Sequence, residues 1–212
     1  MRKAFTIDPL DVEIDPTGDP DIAKIVDTIT ERTVMVLTDE CIGEAVIVAG
    51  KIITSLFLVR NYRMVKIALS KNISAHAVVS RRDECNNIAE LKPASLLQND
   101  PQLRLPSGEA KINRGLIGGH GAPLLTSNTK SGKTVVVVAS MRYKINVCER
   151  REVDAWKTRS KLPTGLVGGG IWNIDGEFVG LSLATKVSYS RIDSDMILAL
   201  PAEEVLNFAE TS

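Results

Sequence analysis

The sequence predicts an all-β fold of two barrels with a short helix at each end. Short β-branched runs recur about every 8 to 12 positions, punctuated by turn or charged residues, the spacing of a barrel or sandwich. A stretch rich in Pro, Ser and polar residues at 93–108 (PASLLQNDPQLRLPSG) divides those runs into two groups. The 212 residues, 44% hydrophobic and 25% charged, are enough to bury a sizeable core. Four regions follow: an irregular acidic arm (1–20), a first barrel with a leading helix (21–92), a linker (93–108) and a second barrel with a closing helix (109–212).

The arm carries Pro9, Pro16, Gly18 and Pro20 among acidic residues, which disfavours regular structure. Asp19 or Asp21 then caps a short helix whose apolar positions, Ile22, Ile25, Val26 and Ile29, recur at helical spacing. The strands expected in the first half are Val34–Leu37, Ala45–Val48, Ile52–Val59, Val65–Leu69, Ala75–Val79 and Ile88–Leu91. In the second half they are Val135–Ala139, Tyr143–Val147, Gly170–Ile174, Glu177–Ala184 and Met196–Leu200. Glu203–Ala209 forms a last helix, introduced by Pro201.

Charge and cysteine content narrow the chemistry. Net charge is zero, so no global field favours nucleic acid or an anionic membrane. Charge is uneven, however. Met1–Asp21 sets Arg2 and Lys3 against Asp8, Asp11, Glu13, Asp15, Asp19 and Asp21. Arg142–Lys161 concentrates Arg142, Lys144, Arg150, Arg151, Lys157, Arg159 and Lys161. The two segments read either as solvated faces or as an acidic tail masking a basic loop. Cys41, Cys85 and Cys148 are odd in number and lack C-x-x-C spacing, which argues against a disulfide framework or zinc site and for buried thiols in a reducing compartment. No cofactor or metal is expected. The first thirty residues hold no apolar leader and no run approaches membrane length, so the expectation is a cytoplasmic or nuclear protein without membrane contact, an organelle remaining open. The glycine-rich Gly115–Pro123 (GLIGGHGAP) lacks the Gly-Lys-Ser/Thr of a phosphate loop and the βαβ setting of a dinucleotide loop, and reads as an ordinary loop.

Four segments resemble one family in the correct order. Gly165–Leu181 (GLVGGGIWNIDGEFVGL) is similar to the nucleophile segment of trypsin-like serine proteases, G-x-S-G-G followed by a strand, a tight turn and a second strand. Gly43–Val59 (GEAVIVAGKIITSLFLV) is similar to the histidine segment, with Gly50, Ile52, Ile53, Thr54 and Val59 in place. Ala77–Lys92 (AVVSRRDECNNIAELK) is similar to the aspartate segment through Asp83, Ile88, Ala89, Leu91 and Lys92. Met196–Glu210 is similar to the family's closing segment through Ala199, Pro201, Val205 and Phe208. The chain thus resembles a chymotrypsin-like double barrel of the HtrA/Deg branch, protease domain only. The resemblance implies that the histidine, aspartate and serine positions fall on Phe57, Asn87 and Val167. None of these can relay a proton or attack a carbonyl in the way such a triad does.

The implied reading is a pseudoprotease, without catalytic residues, that binds protein or peptide partners. Backbone amides of Gly165 and Val167 would form a vestigial oxyanion hole. Phe57, Leu166, Val167, Gly168 and Leu181 would line an apolar peptide cleft suited to strand addition. The resemblance also implies self-association, as a trimer, or assembly with an active relative. Two other readings stand beside it. A hydrolase with a relocated nucleophile would draw on Ser55, Thr164 or a cysteine, with His76 or His120 as base. A nucleic-acid binder would use the basic 142–161 segment with Tyr143 and Trp156, against which zero net charge and 4% aromatic content weigh.

Overall fold

The computed structural model describes residues 12–13, 19–68, 74–94, 110–112, 123–128, 133–148, 151–158, 167–183 and 196–211. Helix α1 (Pro20–Glu31) starts at Asp19, whose carboxylate accepts from the Asp21 amide at 2.9 Å, with Pro20 in the first turn. Its Ile29 is buried and Ile25 packs beside it against the core.

Strands β2 (Thr33–Leu37), β3 (Ile42–Val48), β4 (Lys51–Ser55), β5 (Met64–Ala68), β6 (Ser74–Asp83) and β7 (Ile88–Pro93) close into a barrel in the order β2-β3-β4-β7-β6-β5. The β3–β4 hairpin turns on two residues, Ala49 and Gly50, both at positive φ (50° and 71°), the conformation that matches the twist of the flanking strands. Strand β6 alternates exposed and buried residues because only its inner face is covered. Strands β3 and β4 read instead as continuous apolar runs, because both of their faces are buried. Ala45, Ile47 and Ile52 fill the barrel, whereas Val46, Val48 and Ile53 face the second half of the chain.

In the second half, β8 (Pro123–Asn128), β9 (Lys133–Cys148), β10 (Arg151–Thr158), β11 (Gly170–Trp172), β12 (Phe178–Leu183) and β13 (Met196–Pro201) pair around a ring. The long β9 pairs with β10 and with β8, which returns to β11. A two-residue strand, β1 (Val12–Glu13), adds to β9 at Val135 and Val136. Between the halves lies one shared apolar core. Trp172 and Phe178, ring centroids 5.3 Å apart in an edge-on pair, meet Val46, Val48, Ile53 and Ile88 of the first barrel.

Helix α3 (Ala202–Glu210) seals this core with Val205, Leu206, Phe208 and Ala209. Its last turn holds no basic residue of its own. The first barrel supplies the cations instead: Lys51 Nζ donates to the Ala209 carbonyl and Arg81 Nη2 to the Phe208 carbonyl. Both sit where the helix dipole favours positive charge. Arg81 also stacks 3.8 Å from the Phe208 ring centroid and pairs with Glu90 at 3.4 Å.

Several expectations change. The apolar run Ile52–Val59 is not one strand, since β4 ends at Ser55 and residues 56–59 form a helical turn. Val135–Ala139 and Tyr143–Val147 belong to a single strand of 16 residues. Strands β8 and β10 fall where none was expected, and within the basic 142–161 segment residues 142–148 and 151–158 are paired strands rather than a loop. Residues Val12 and Glu13 of the arm are extended and paired. Cys41 and Cys85 are exposed rather than buried, because each sits in a hairpin turn outside the apolar faces.

Replacing Phe208 with Ala removes a core ring and the cation–π contact together. A loss of about 3–5 kcal/mol is expected from the urea-unfolding midpoint. A loss below about 1 kcal/mol would show that α3 does not seal the shared core.

Candidate site at the barrel junction

The ladder between β4 and β7 runs as far as Ser55 opposite Ile88. One residue before Ile88, Asn87 adopts φ 54°, a left-handed conformation that Asn tolerates better than other side-chain-bearing residues. This bend carries both Asn87 oxygens over the start of the helical turn α2 (Leu56–Val59). The Asn87 carbonyl accepts from the Leu56 amide at 2.9 Å, and its side-chain Oδ1 from the Phe57 amide at 3.0 Å. Ser55, at the cap position, makes no side-chain cap of its own, so Asn87 supplies the cap from across the sheet. The preceding turn is fixed by Asp83, whose carboxylate accepts from the Asn86 backbone amide at 3.0 Å and from the Asn86 side chain. Within α2, Leu56, Leu58 and Val59 are buried and Phe57 projects outward, 39% exposed.

Residues 167–170 lie directly on the β3–β4 hairpin. The Glu44 amide donates to the Val167 carbonyl at 2.8 Å. Gly168, at φ +85°, has no room for a side chain: a Cβ there would fall inside the Glu44 carbonyl and the Thr54 hydroxyl. A Cβ at Gly169 would strike the buried Glu44 carboxylate, and one at Gly170 would come within 2.7 Å of the Trp172 indole nitrogen. On the far side, Gly168 donates to the Ser182 carbonyl and Ser182 to the Gly169 carbonyl, both at 2.8 Å. Gly43 is the counterpart in β3, where a Cβ would lie 2.9 Å from the Val167 carbonyl oxygen and against the Leu58 methyls. Four segments therefore meet here: 43–44, 54–58, 87 and 167–170.

Phe57, Asn87 and Val167 are thus brought to one junction, Phe57 exposed and Val167 half-buried beside the first core. Leu181 is not a cleft residue. It is 0% exposed within the shared core, because every residue of β12 is buried and alternation gives that strand no open face. Gly168 is likewise buried and shapes the turn rather than lining a groove. Gly165, Leu166, Thr164 and His120 lie outside the described residues, as do the side chains of the 142–161 segment. His76 is exposed on β6 opposite Lys66, away from the junction. Ser55 is fully buried and offers no surface to a substrate. Sequence reasoning missed Gly43 and Glu44, although a carboxylate inside an apolar strand is itself a signal. Among the described residues no group of three or more His, Cys, Asp or Glu could hold a metal ion. No helix there is long and apolar enough to cross a membrane.

No family model matches the chain. It is 26% identical over 168 residues to the mitochondrial serine protease HTRA2 of Bos taurus, covering 78% of this chain and 34% of the relative. To the mitochondrial serine protease HTRA2 of Drosophila willistoni it is 24% identical over 163 residues, covering 76% and 36%. The chain therefore spans about a third of the length of these curated relatives. Among solved structures it resembles the inactive form of a serine-to-alanine mutant of Rv3671c from M. tuberculosis H37Rv, with TM-score 0.68, 14% identity and coverage of 95% and 98%. A second inactive form of the Rv3671c protease gives TM-score 0.66, 15% identity and coverage of 94% and 96%. Paired barrels meeting at a glycine-tight turn give the chain the trypsin-like protease fold. In sequence, the likeness within that fold class is to the HTRA2 serine proteases.

Two outcomes follow for stability. Gly168→Ala should cost well over 2 kcal/mol in thermal or urea unfolding, since left-handed strain and a backbone collision add. Gly50→Ala has the same sign of φ but nothing within 4 Å, and should cost only about 1–2 kcal/mol. Equal losses would remove the case for close packing at 168. Separately, Asn87→Asp should keep the α2 cap, whereas Asn87→Ala should lose about 1–2 kcal/mol in the same assay.

Proposed function

We propose that this chain is a protease-fold protein without protease chemistry, and that its junction binds a protein or peptide partner instead of cutting it. The observation that carries the proposal is the Phe57–Asn87 contact. The side chain standing at the aspartate position caps a backbone amide, and the neighbouring side chain is a hydrocarbon ring with no nitrogen to orient. Val167 adds a third position without a proton or lone pair to offer. Loss of such a triad lowers turnover by roughly 10⁶. Exposed Phe57 and half-buried Val167, with Ile42 exposed at 43% one residue before Gly43, give the junction an apolar rim. Apolar rims of this kind suit a partner's side chains better than a water-borne reaction does. Self-association or pairing with an active relative belongs to the same proposal.

Two measurements test it. A fluorophosphonate probe and a fluorescent casein substrate should give no labelling and no cleavage with the purified chain. Labelling that disappears when one serine or cysteine is replaced would overturn the non-catalytic reading. Affinity capture from the native source should recover a partner that Val167→Trp fails to recover, and equal recovery by both would sink the binding role of the junction.

A further inference from the structure

The outer face of the first barrel carries a second surface, independent of the junction. Met64 and Val78 are 53% and 44% exposed and stand directly opposite one another on β5 and β6. Lys92 on β7 continues the same row, opposite Val78. In the next row Lys66 stands opposite His76. All five side chains are exposed, while the alternating Val65, Ile67, Ala77, Val79 and Leu91 fill the barrel. On these three strands Asp83 holds the Asn86 turn and Glu90 pairs with Arg81. Glu84, in the turn that follows β6, pairs with Arg60 at 3.4 Å. Exposed Asp39 and Glu40 follow β2, which runs antiparallel to β5 toward the Met64 end of this face. The face is therefore an apolar pair flanked on a diagonal by two lysines.

The register sets the spacing of those charges. Lys66 and Lys92 lie two strands apart and two residues apart along the strands, a separation of about 12 Å at ordinary sheet dimensions. An extended chain places its residues i and i+4 about 13–14 Å apart on one side, with i+2 between them. Because β6 is paired on both edges, β5 with β2 over Lys66–Ala68 and β7 with β4 over Ile88–Leu91, recognition across the middle of this face runs through side chains. We propose that this face docks an extended acidic segment of a partner protein, in which two carboxylates four residues apart flank an apolar side chain. The carboxylates meet Lys66 and Lys92, and the apolar side chain covers Met64 and Val78. Exposed ion pairs add little by themselves, so the apolar contact sets the affinity and the lysines set orientation and salt dependence.

Fluorescence anisotropy of the full chain tests this, using a labelled heptapeptide with Glu, Leu and Glu at alternate positions and serine between. Saturable binding is expected, weakening as salt is raised. It should fall at least tenfold in Met64→Asp and in the Lys66→Glu/Lys92→Glu double variant, and at least a few-fold in Lys66→Gln/Lys92→Gln. Val167→Trp should leave it unchanged, which separates this surface from the junction. Thermal melts of the Met64, Lys66 and Lys92 variants should match wild type, since those side chains are exposed. The proposal is overturned if the Glu peptide does not bind, if a Lys-for-Glu peptide binds equally, or if the charge-reversed variant binds as wild type. It is overturned too if phosphatidylserine vesicles bind while the peptide does not, because the face would then serve a membrane.

Discussion

The whole arrangement depends on one close approach of backbone to backbone, where residues 168–170 lie on β3 and β4 without room for a single Cβ. Three consecutive glycines allow the Val167 carbonyl to reach the Glu44 amide, and Gly168 and Gly169 to bond Ser182 on β12. Each of these bonds joins the two halves of the chain or fixes the turn between them. A side chain at Gly168 would have to displace strand backbone, which barrels closed by hydrogen bonds resist. The position of residue 167 relative to Phe57 and Asn87 is therefore set by main-chain packing.

The shared apolar core makes that position rigid. Val46, Val48 and Ile53 belong to first-barrel strands, yet they pack on Trp172, Phe178 and α3. Moving one barrel against the other would expose these residues and break the helix cap that Lys51 and Arg81 provide from the opposite barrel. The cap is an ionic closure laid over an apolar one. Apolar burial supplies most of the free energy, while the cations fix the helix in register at its exposed end. A junction held this way presents a preformed surface rather than a hinge, and a preformed surface loses less entropy on binding.

Much of this was legible in the sequence, and the exceptions have physical reasons. Strands with one wet face, such as β6, announce themselves by alternation, and Asp19 with Pro20 marks the start of α1. The run Ile52–Val59 hid its break because a buried strand and a buried helical turn share the same apolar composition. What ends the strand is Asn87, 30 residues from Phe57, whose two oxygens accept from the amides of Leu56 and Phe57. Strands β8 and β10 were invisible for another reason: Pro123–Asn128 is half polar, and Arg151–Thr158 is mostly charged and polar, so their pairing is dictated by β9 rather than by pattern. At the site, motif order singled out Phe57, Asn87 and Val167, which lie at one junction, whereas Leu181 is buried because β12 is covered on both faces. Glu44 and Gly43 escaped notice because their role is one of proximity, which spacing along a chain does not encode.

Structural and chemical demands at the junction turn out to be separable. Holding the geometry falls to glycines, to main-chain amides and carbonyls, and to the carboxamide of Asn87, which needs only an acceptor oxygen at the right place. Nothing in that list requires an imidazole at 57 or a hydroxyl at 167. Phe57 points outward from α2, and Val167 contributes its carbonyl to Glu44 and its side chain to the edge of the first core. The supporting contacts at the junction are therefore independent of which side chains stand at 57 and 167.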